Sequence, residues 1–342
     1  MIPGLVERIR AGGPIPFAAF MEAALYDPAA GFYAAGGRAG GRSGQFLTSP
    51  EVGPLFGAVL ARALDTWWED GGRSSPFVVV DAGAGPGTLA RAVLAARPAV
   101  AVDGALRYVA VERAAAQRAA HAGLAVASAE ALPDESFAGV VVANELLDNL
   151  PFRLAVHDGG WREAFVDVDP DGRPVEVLVP LAEVPACLPT AAVHGSRAPI
   201  QDEAARWVRD VVARLRSPGR LVVIDYTSST ADMAARPWRE WLRTYRDHQR
   251  GGHYLADPGA QDITSDVALD QLPPATTSST QADFLRAHGL EVLVEEGRRT
   301  WAAHAAAPDL AALTARSRVR EAEALTDPAG LGGFTVAEWL LT

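Results

Sequence analysis

Residues 77–91, FVVVDAGAGPGTLAR, constrain the chain more than any other stretch. Phe77, Val78, Val79 and Val80 read as a fully buried strand that ends at the acidic Asp81. Gly83, Gly85 and Gly87 then make a turn in which the backbone can take positive φ and approach a ligand closely, and a helix opens at Thr88 with its first N–H groups unpaired. A second strand, residues 107–112, runs into Glu112, about 25 residues past the last glycine, where a carboxylate can take both hydroxyls of a ribose. Dinucleotide dehydrogenases share that acid but use GxGxxG, which seats a pyrophosphate on the helix N-terminus. Here the spacing is Gly83-x-Gly85-x-Gly87, and Asp81 would repel a pyrophosphate while accepting from the ammonium of an amino-acid tail. The pattern favours S-adenosylmethionine over NAD; the plain alternative is a glycine turn that only packs helix on strand.

From residue 77 onward strands and helices alternate, as in a mostly parallel sheet covered on both faces. Strands are expected near 77–81, 107–112, 124–127, 139–144 and 220–226, with another at 290–294, a helix over 302–325 and a last antiparallel strand near 333–336. The third strand leads into Glu130 and Ala131, where an adenine would lie; a solvated loop acid is the other reading of Glu130. The fourth delivers NELLDNLP, and polar residues at the carboxyl end of a central strand stand where open parallel sheets bind ligands. If Glu145 and Asp148 begin a helical turn, their i, i+3 spacing puts both carboxylates on one face, though Asn144 as a simple helix cap also explains the run.

Upstream, helical spacing covers residues 5–25 and stops at Tyr26-Asp27-Pro28. Residues 31–44 are a glycine-rich stretch of the kind that forms lids. Ser49 is placed to cap a helix running to about Trp68, with Pro50 in its first turn. The expected organisation is an N-terminal helical region over 1–75 and a sheet domain over 76–342, with a β-meander inserted at about 152–200 and a substrate-side cap, helical at first, at about 230–280. His248, His253 and Asp262 lack the tight spacing of a zinc site, and no metal is expected.

The 342 residues carry a formal net charge of −11, which argues against a nucleic-acid partner and suits a cationic or neutral substrate. The single cysteine, Cys187, excludes an intrachain disulfide. Neither a secretory head nor an apolar run of membrane length is present, so cytoplasm is the default; the Ala, Gly, Arg and Pro richness points to a GC-rich bacterial genome. Symmetric pairing into a homodimer is common among soluble enzymes, but nothing in the sequence locates an interface.

Several segments together resemble the MidA-type methyltransferases, the family of the mitochondrial complex I assembly factor that methylates a protein arginine. They are FAAFMEAALYDPAAGFY (17–33), GQFLTSPEVGPLFG (44–57), the glycine turn, NELLDNLP (144–151), Trp161 with Glu163, Asp225-Tyr226, PGAQDIT (258–264) and DPAGLGGF (327–334). The chain departs from the family pattern at Gln45, Thr227 and Asp266. The resemblance implies a class I S-adenosylmethionine methyltransferase, α/β with a seven-stranded sheet and extra lid elements, acting on a protein or small-molecule acceptor. Cofactor contacts are expected at Asp81, Gly83, Gly85, Gly87, Thr88, Glu112, Glu130, Ala131, Asn144, Thr48 and Ser49, and catalytic roles at Glu145, Asp148, Asn144 and Glu51. Carboxylates can hold a guanidinium bidentately and leave one nitrogen free to attack. The rival readings are a small-molecule N- or O-methyltransferase, with His248 or His253 as base, and a non-catalytic assembly protein that keeps the cofactor pocket.

Overall fold

The computed structural model describes residues 2–34, 48–246 and 249–342; most of the glycine-rich stretch, Gln45 and His248 lie outside the described residues. Seven strands form the central sheet: β1 (Phe77–Ala82), β2 (Leu106–Val111), β3 (Ala127–Ala129), β4 (Phe137–Asn144), β5 (Leu215–Asp225), β6 (Thr277–Thr280) and β7 (Thr335–Leu341). Their order is β6-β7-β5-β4-β1-β2-β3. Strands β1 to β5 pair in parallel and β7 is antiparallel to both of its neighbours, so the chain reverses between β1 and β4 and opens a crevice at the carboxyl ends there.

Both faces of the sheet are covered. On one, Val79, Val140, Val142, Val222 and Ile224 pack with the helix Pro54–Asp70 and the helices Gln281–Ala287 and Leu290–His304. On the other, Val78, Val80, Val141, Leu221 and Val223 pack with the helix Asp202–Arg214. A third core lies off the sheet and joins Phe17, Phe20 and Met21 to Phe152, Leu154 and Val166 and to Trp241, Tyr254 and Ile263. It belongs to a second lobe. The meander Arg153–His157, Trp161–Val168 and Pro174–Pro180 is extended there by Ile15–Pro16 and Arg197–Ile200, beside a three-stranded sheet built on Leu242–Arg246. Within residues 1–75, the helices Leu5–Gly12 and Phe17–Tyr26 carry buried side chains of the lobe core, whereas Pro54–Asp70 packs on the sheet.

Several expectations need correction, among them the helix over 302–325, which is parts of two helices, Leu290–His304 and Leu310–Thr326. The helical run 5–25 is broken at Gly12-Gly13-Pro14, where Pro14 removes a backbone donor. The third strand begins at Ala127, because Leu124 turns back with its N–H on the His121 carbonyl at 3.0 Å. The fifth begins at Leu215 and passes a bulge between Arg216 and Gly219 before the expected stretch. Residues 290–294 are not a strand but the first turns of a helix, and the place of the sixth strand is taken by Thr277–Thr280. Leu290, Leu293, Val294 and Gly297 are buried at helical spacing while Val292 is 48% exposed. A strand would expose every second apolar side chain, and each buried one is worth about 1.5–3 kcal/mol.

Candidate active site

A cavity of about 440 Å³ opens beyond the carboxyl ends of β1, β2 and β4, where the sheet reverses direction. Asp81, buried at the end of β1, accepts from the Tyr108 hydroxyl at 3.1 Å. Burial pushes its pKa up to about 7, with the Tyr108 bond opposing and the Glu112 charge adding. Gly83, Gly85 and Gly87 all take positive φ, of 74°, 52° and 80°. Their uses differ. A Cβ on Gly87 would stand 2.9 Å from Leu124 Cδ1 and one on Gly83 3.0 Å from Leu146 Cδ1, whereas on Gly85 it would meet only Gln117 Oε1, at 3.7 Å. Gly83 and Gly87 serve packing, and Gly85 leaves room along the cavity wall. The Glu112 carboxylate, at the end of β2, accepts from Gly85 N at 3.0 Å and from Ala114 N at 2.7 Å, tying the turn to the next loop.

Thr88, Glu130, Ala131 and Asp134 also line the cavity. The Glu130 carboxylate is turned outward, 70% exposed and paired with Arg118 at 3.1 Å, so the solvated-acid reading fits its side chain. Asp134 had no sequence signal of its own.

At the end of β4 Asn144 and Glu145 face the same cavity. Glu145 has φ +50°, a left-handed backbone that costs a non-glycine residue of order 1–3 kcal/mol and marks functional sites. Its Oε1 accepts from Asn144 Nδ2 at 3.1 Å and Ser49 N at 3.3 Å. Its Oε2 and the Asn144 Oδ1 are buried without a hydrogen-bond partner among the described residues. Burial, then the nearby Asp148 charge, pushes the Glu145 pKa up to about 8 against the Asn144 and Ser49 bonds.

The expected helical turn through Glu145 and Asp148 does not form. A short 3-10 turn covers Leu147–Asn149 instead, and the Asp225 carboxylate from β5 accepts the N–H groups of Leu147 at 3.1 Å and Asp148 at 3.3 Å. The Asp148 side chain then points inward to Tyr226 and Thr264 and does not line the cavity. Glu51 does line the cavity, and its charge adds to the upward shift at Glu145. The helix cap expected at Ser49 is displaced by one: Thr48 is the cap, in a capping box with Glu51, while Ser49 is buried with its Oγ donating to Gln281 Oε1 at 2.8 Å. Ser49 reaches the site only through its backbone N–H, and Thr48 lines the cavity.

The second lobe roofs the site with Tyr26 and Tyr33, stacked at 5.5 Å. Tyr26 donates to the Asn149 carbonyl at 3.1 Å, and the Tyr33 hydroxyl lies 3.0 Å from Asn149 Oδ1 and 3.2 Å from Asp262 Oδ1. Arg113, next to Glu112, stacks 4.5 Å over Tyr26 and pairs with Glu22. Neither tyrosine was legible as a site residue: Tyr26 lies at what reads as a helix end and Tyr33 in the glycine-rich stretch. Of the departures from the family pattern, Asp266 is buried and pairs with Arg243 at 2.7 Å and with Arg236, and Thr227 bonds Thr335 at 2.7 Å. His253 packs between Trp238 and Tyr254 in the lobe and does not line the cavity. No cluster of metal ligands occurs among the described residues. No described helix is long and apolar enough to cross a membrane.

A family model described as a putative S-adenosyl-L-methionine-dependent methyltransferase matches residues 59–288. The mitochondrial protein arginine methyltransferase NDUFAF7 homolog of Drosophila melanogaster is 27% identical over 300 residues, 77% of this chain and 67% of that protein. The Homo sapiens protein arginine methyltransferase NDUFAF7 is 26% identical over 313 residues, 80% and 68% of the two chains. A COG1565 superfamily member from Burkholderia thailandensis, solved with S-adenosyl-homocysteine bound, is 31% identical with a TM-score of 0.80, covering 98% of this chain and 89% of that one.

Proposed function

The chain belongs to the family of putative S-adenosyl-L-methionine-dependent methyltransferases and is such an enzyme, and from that premise we propose that its acceptor is the guanidinium of a protein arginine. One observation carries the reading: Glu145 and Glu51 both line the cavity, and Glu145 Oε2 and Asn144 Oδ1 are buried without a hydrogen-bond partner among the described residues. An unpaired carboxylate oxygen and an unpaired amide oxygen, with a second acid on the same cavity, suit a planar, multiply donating cation. The names of the curated relatives support the same acceptor.

The cavity fits the cofactor. Gly85 leaves space where a side chain would intrude, and Asp81 and Glu112 present carboxylates for an ammonium and a ribose. Thr88 stands at the start of the helix after the turn, and the cavity-lining loop at Ala131 and Asp134 would take the adenine. When bound, S-adenosylmethionine supplies an electrophilic methyl on a sulfonium sulfur. Glu145 accepts two guanidinium N–H groups, orients the free nitrogen with Asn144, and takes the proton lost on alkylation; Glu51 balances the cation's charge. Asp148 acts at a distance, through the turn that it shares with Asp225. Glu145→Gln, given isotope-labelled S-adenosylmethionine and an arginine peptide, keeps cofactor binding and loses turnover; undiminished turnover would sink the assignment. The small-molecule reading with a histidine base gains nothing from His253, which is held in the lobe.

A further inference from the structure

We propose that His121, in the short turn Ala119–His121 after β2, is a positioning residue that holds the glycine turn in its cofactor-binding shape. The histidine is 4% exposed and does not line the cavity. Its Nε2 lies 2.8 Å from the Gly85 carbonyl oxygen and its Nδ1 2.8 Å from Ser128 Oγ on β3. A carbonyl only accepts, so Nε2 carries the proton, and in the neutral ring Nδ1 accepts from the Ser128 hydroxyl. The Gly85 carbonyl thus sets the tautomer, and the Ser128 hydroxyl, which can donate or accept, follows it.

Gly85 is the position where this matters. It is the glycine of the turn with open space around it, so packing alone does not fix its φ of 52°. The peptide unit before it is pinned by Gly85 N on Glu112, and the unit after it by the Gly85 carbonyl on His121. When a ribose competes for the Glu112 oxygens, the first of these bonds weakens and His121 is the tie that remains. A glycine loses much conformational freedom on ordering, and a turn already ordered spares a ligand that cost. The ring also closes the turn from below: a Cβ on Gly87 would stand 3.2 Å from His121 Cδ2.

The proposal rests on cofactor binding and not on the acceptor, and its test needs no acceptor. Calorimetric titration with S-adenosylhomocysteine compares wild type with His121→Leu, which fills the same space without a donor, and His121→Gln, whose amide can reach the same carbonyl. The expected result is binding weakened about five- to tenfold in the leucine variant and restored to within about threefold by glutamine, the scale of one buried hydrogen bond. Ser128 is exposed, so Ser128→Ala keeps the fold and shows a smaller loss of the same sign. In the wild type, long-range proton–nitrogen NMR should show the Nε2-protonated tautomer. Equal affinity in the leucine variant, glutamine as weak as leucine, or an Nδ1-protonated ring would each overturn the assignment.

Discussion

Glu145→Gln should make this enzyme more stable and less active, and both effects follow from one carboxyl group. Burial raises its pKa from 4.5 to about 8. The residue as a whole is only partly buried, but Oε2 has no solvent contact, and the shift belongs to that sealed environment. In the unfolded chain the group ionises near 4.5, so between pH 4.5 and 8 the unfolded state binds fewer protons than the native one and stability falls as pH rises. The penalty is absent below pH 4.5 and complete above pH 8. At about 1.4 kcal/mol per pKa unit the ceiling is about 5 kcal/mol, and allowing for partial exposure about 3 kcal/mol. A chain of 342 residues unfolds with an entropy near 0.7 kcal/mol/K, so the neutral glutamine should raise the melting temperature by about 4 °C at pH 8.5 and about 1 °C at pH 5. Differential scanning calorimetry at the two pH values, paired with a turnover assay, reads both effects. A glutamine variant less stable than wild type at pH 8.5, or a gain that does not depend on pH, would refute the buried-charge argument.

The same reasoning extends to the cofactor side. Asp81, with its pKa near 7, must be ionised to hold an ammonium, so affinity for S-adenosylmethionine should fall about tenfold between pH 8 and pH 6, and Asp81→Asn should bind weakly at both; a flat wild-type profile by calorimetry would remove that role. Glu112→Ala should weaken S-adenosylmethionine binding about tenfold, and NAD should not bind wild type; an unchanged dissociation constant would exclude the ribose contact. Gly87→Ala meets Leu124 and should cost about 1–3 kcal/mol of stability in chemical denaturation, whereas Gly85→Ala should fold with a smaller loss and bind the cofactor less well; the reverse order would undo the division of labour between the two glycines.

The glycine-turn side of the cavity was legible because the residues that build it are close in sequence. A buried strand, an acid, three spaced glycines and a second acid after the next strand are all sequence-near, and the sheet brings them together by its own pairing. The side of the cavity at the end of β4 was legible in part. Asn144 and Glu145 stand at a strand end, but the orientation of Asp148 is set by Asp225, which no local spacing reveals. Tyr26, Tyr33 and His121 are long-range for the same reason: each reaches the site by packing between elements distant in sequence. The sheet's sixth strand was misplaced because Thr277–Thr280 is a polar, exposed edge without a hydrophobic signal, while LEVLV satisfies both strand composition and helical spacing. Burial at i, i+3, i+4 and i+7 decided for the helix.

The most direct test of the account is transfer itself: wild-type enzyme is incubated with methyl-labelled S-adenosylmethionine and a mixture of arginine and lysine peptides, and the products are read by mass spectrometry. The account predicts methylated guanidinium nitrogen and S-adenosylhomocysteine formed one for one, both lost in Glu145→Gln. Label on lysine, or S-adenosylhomocysteine formed with arginine untouched, would contradict it.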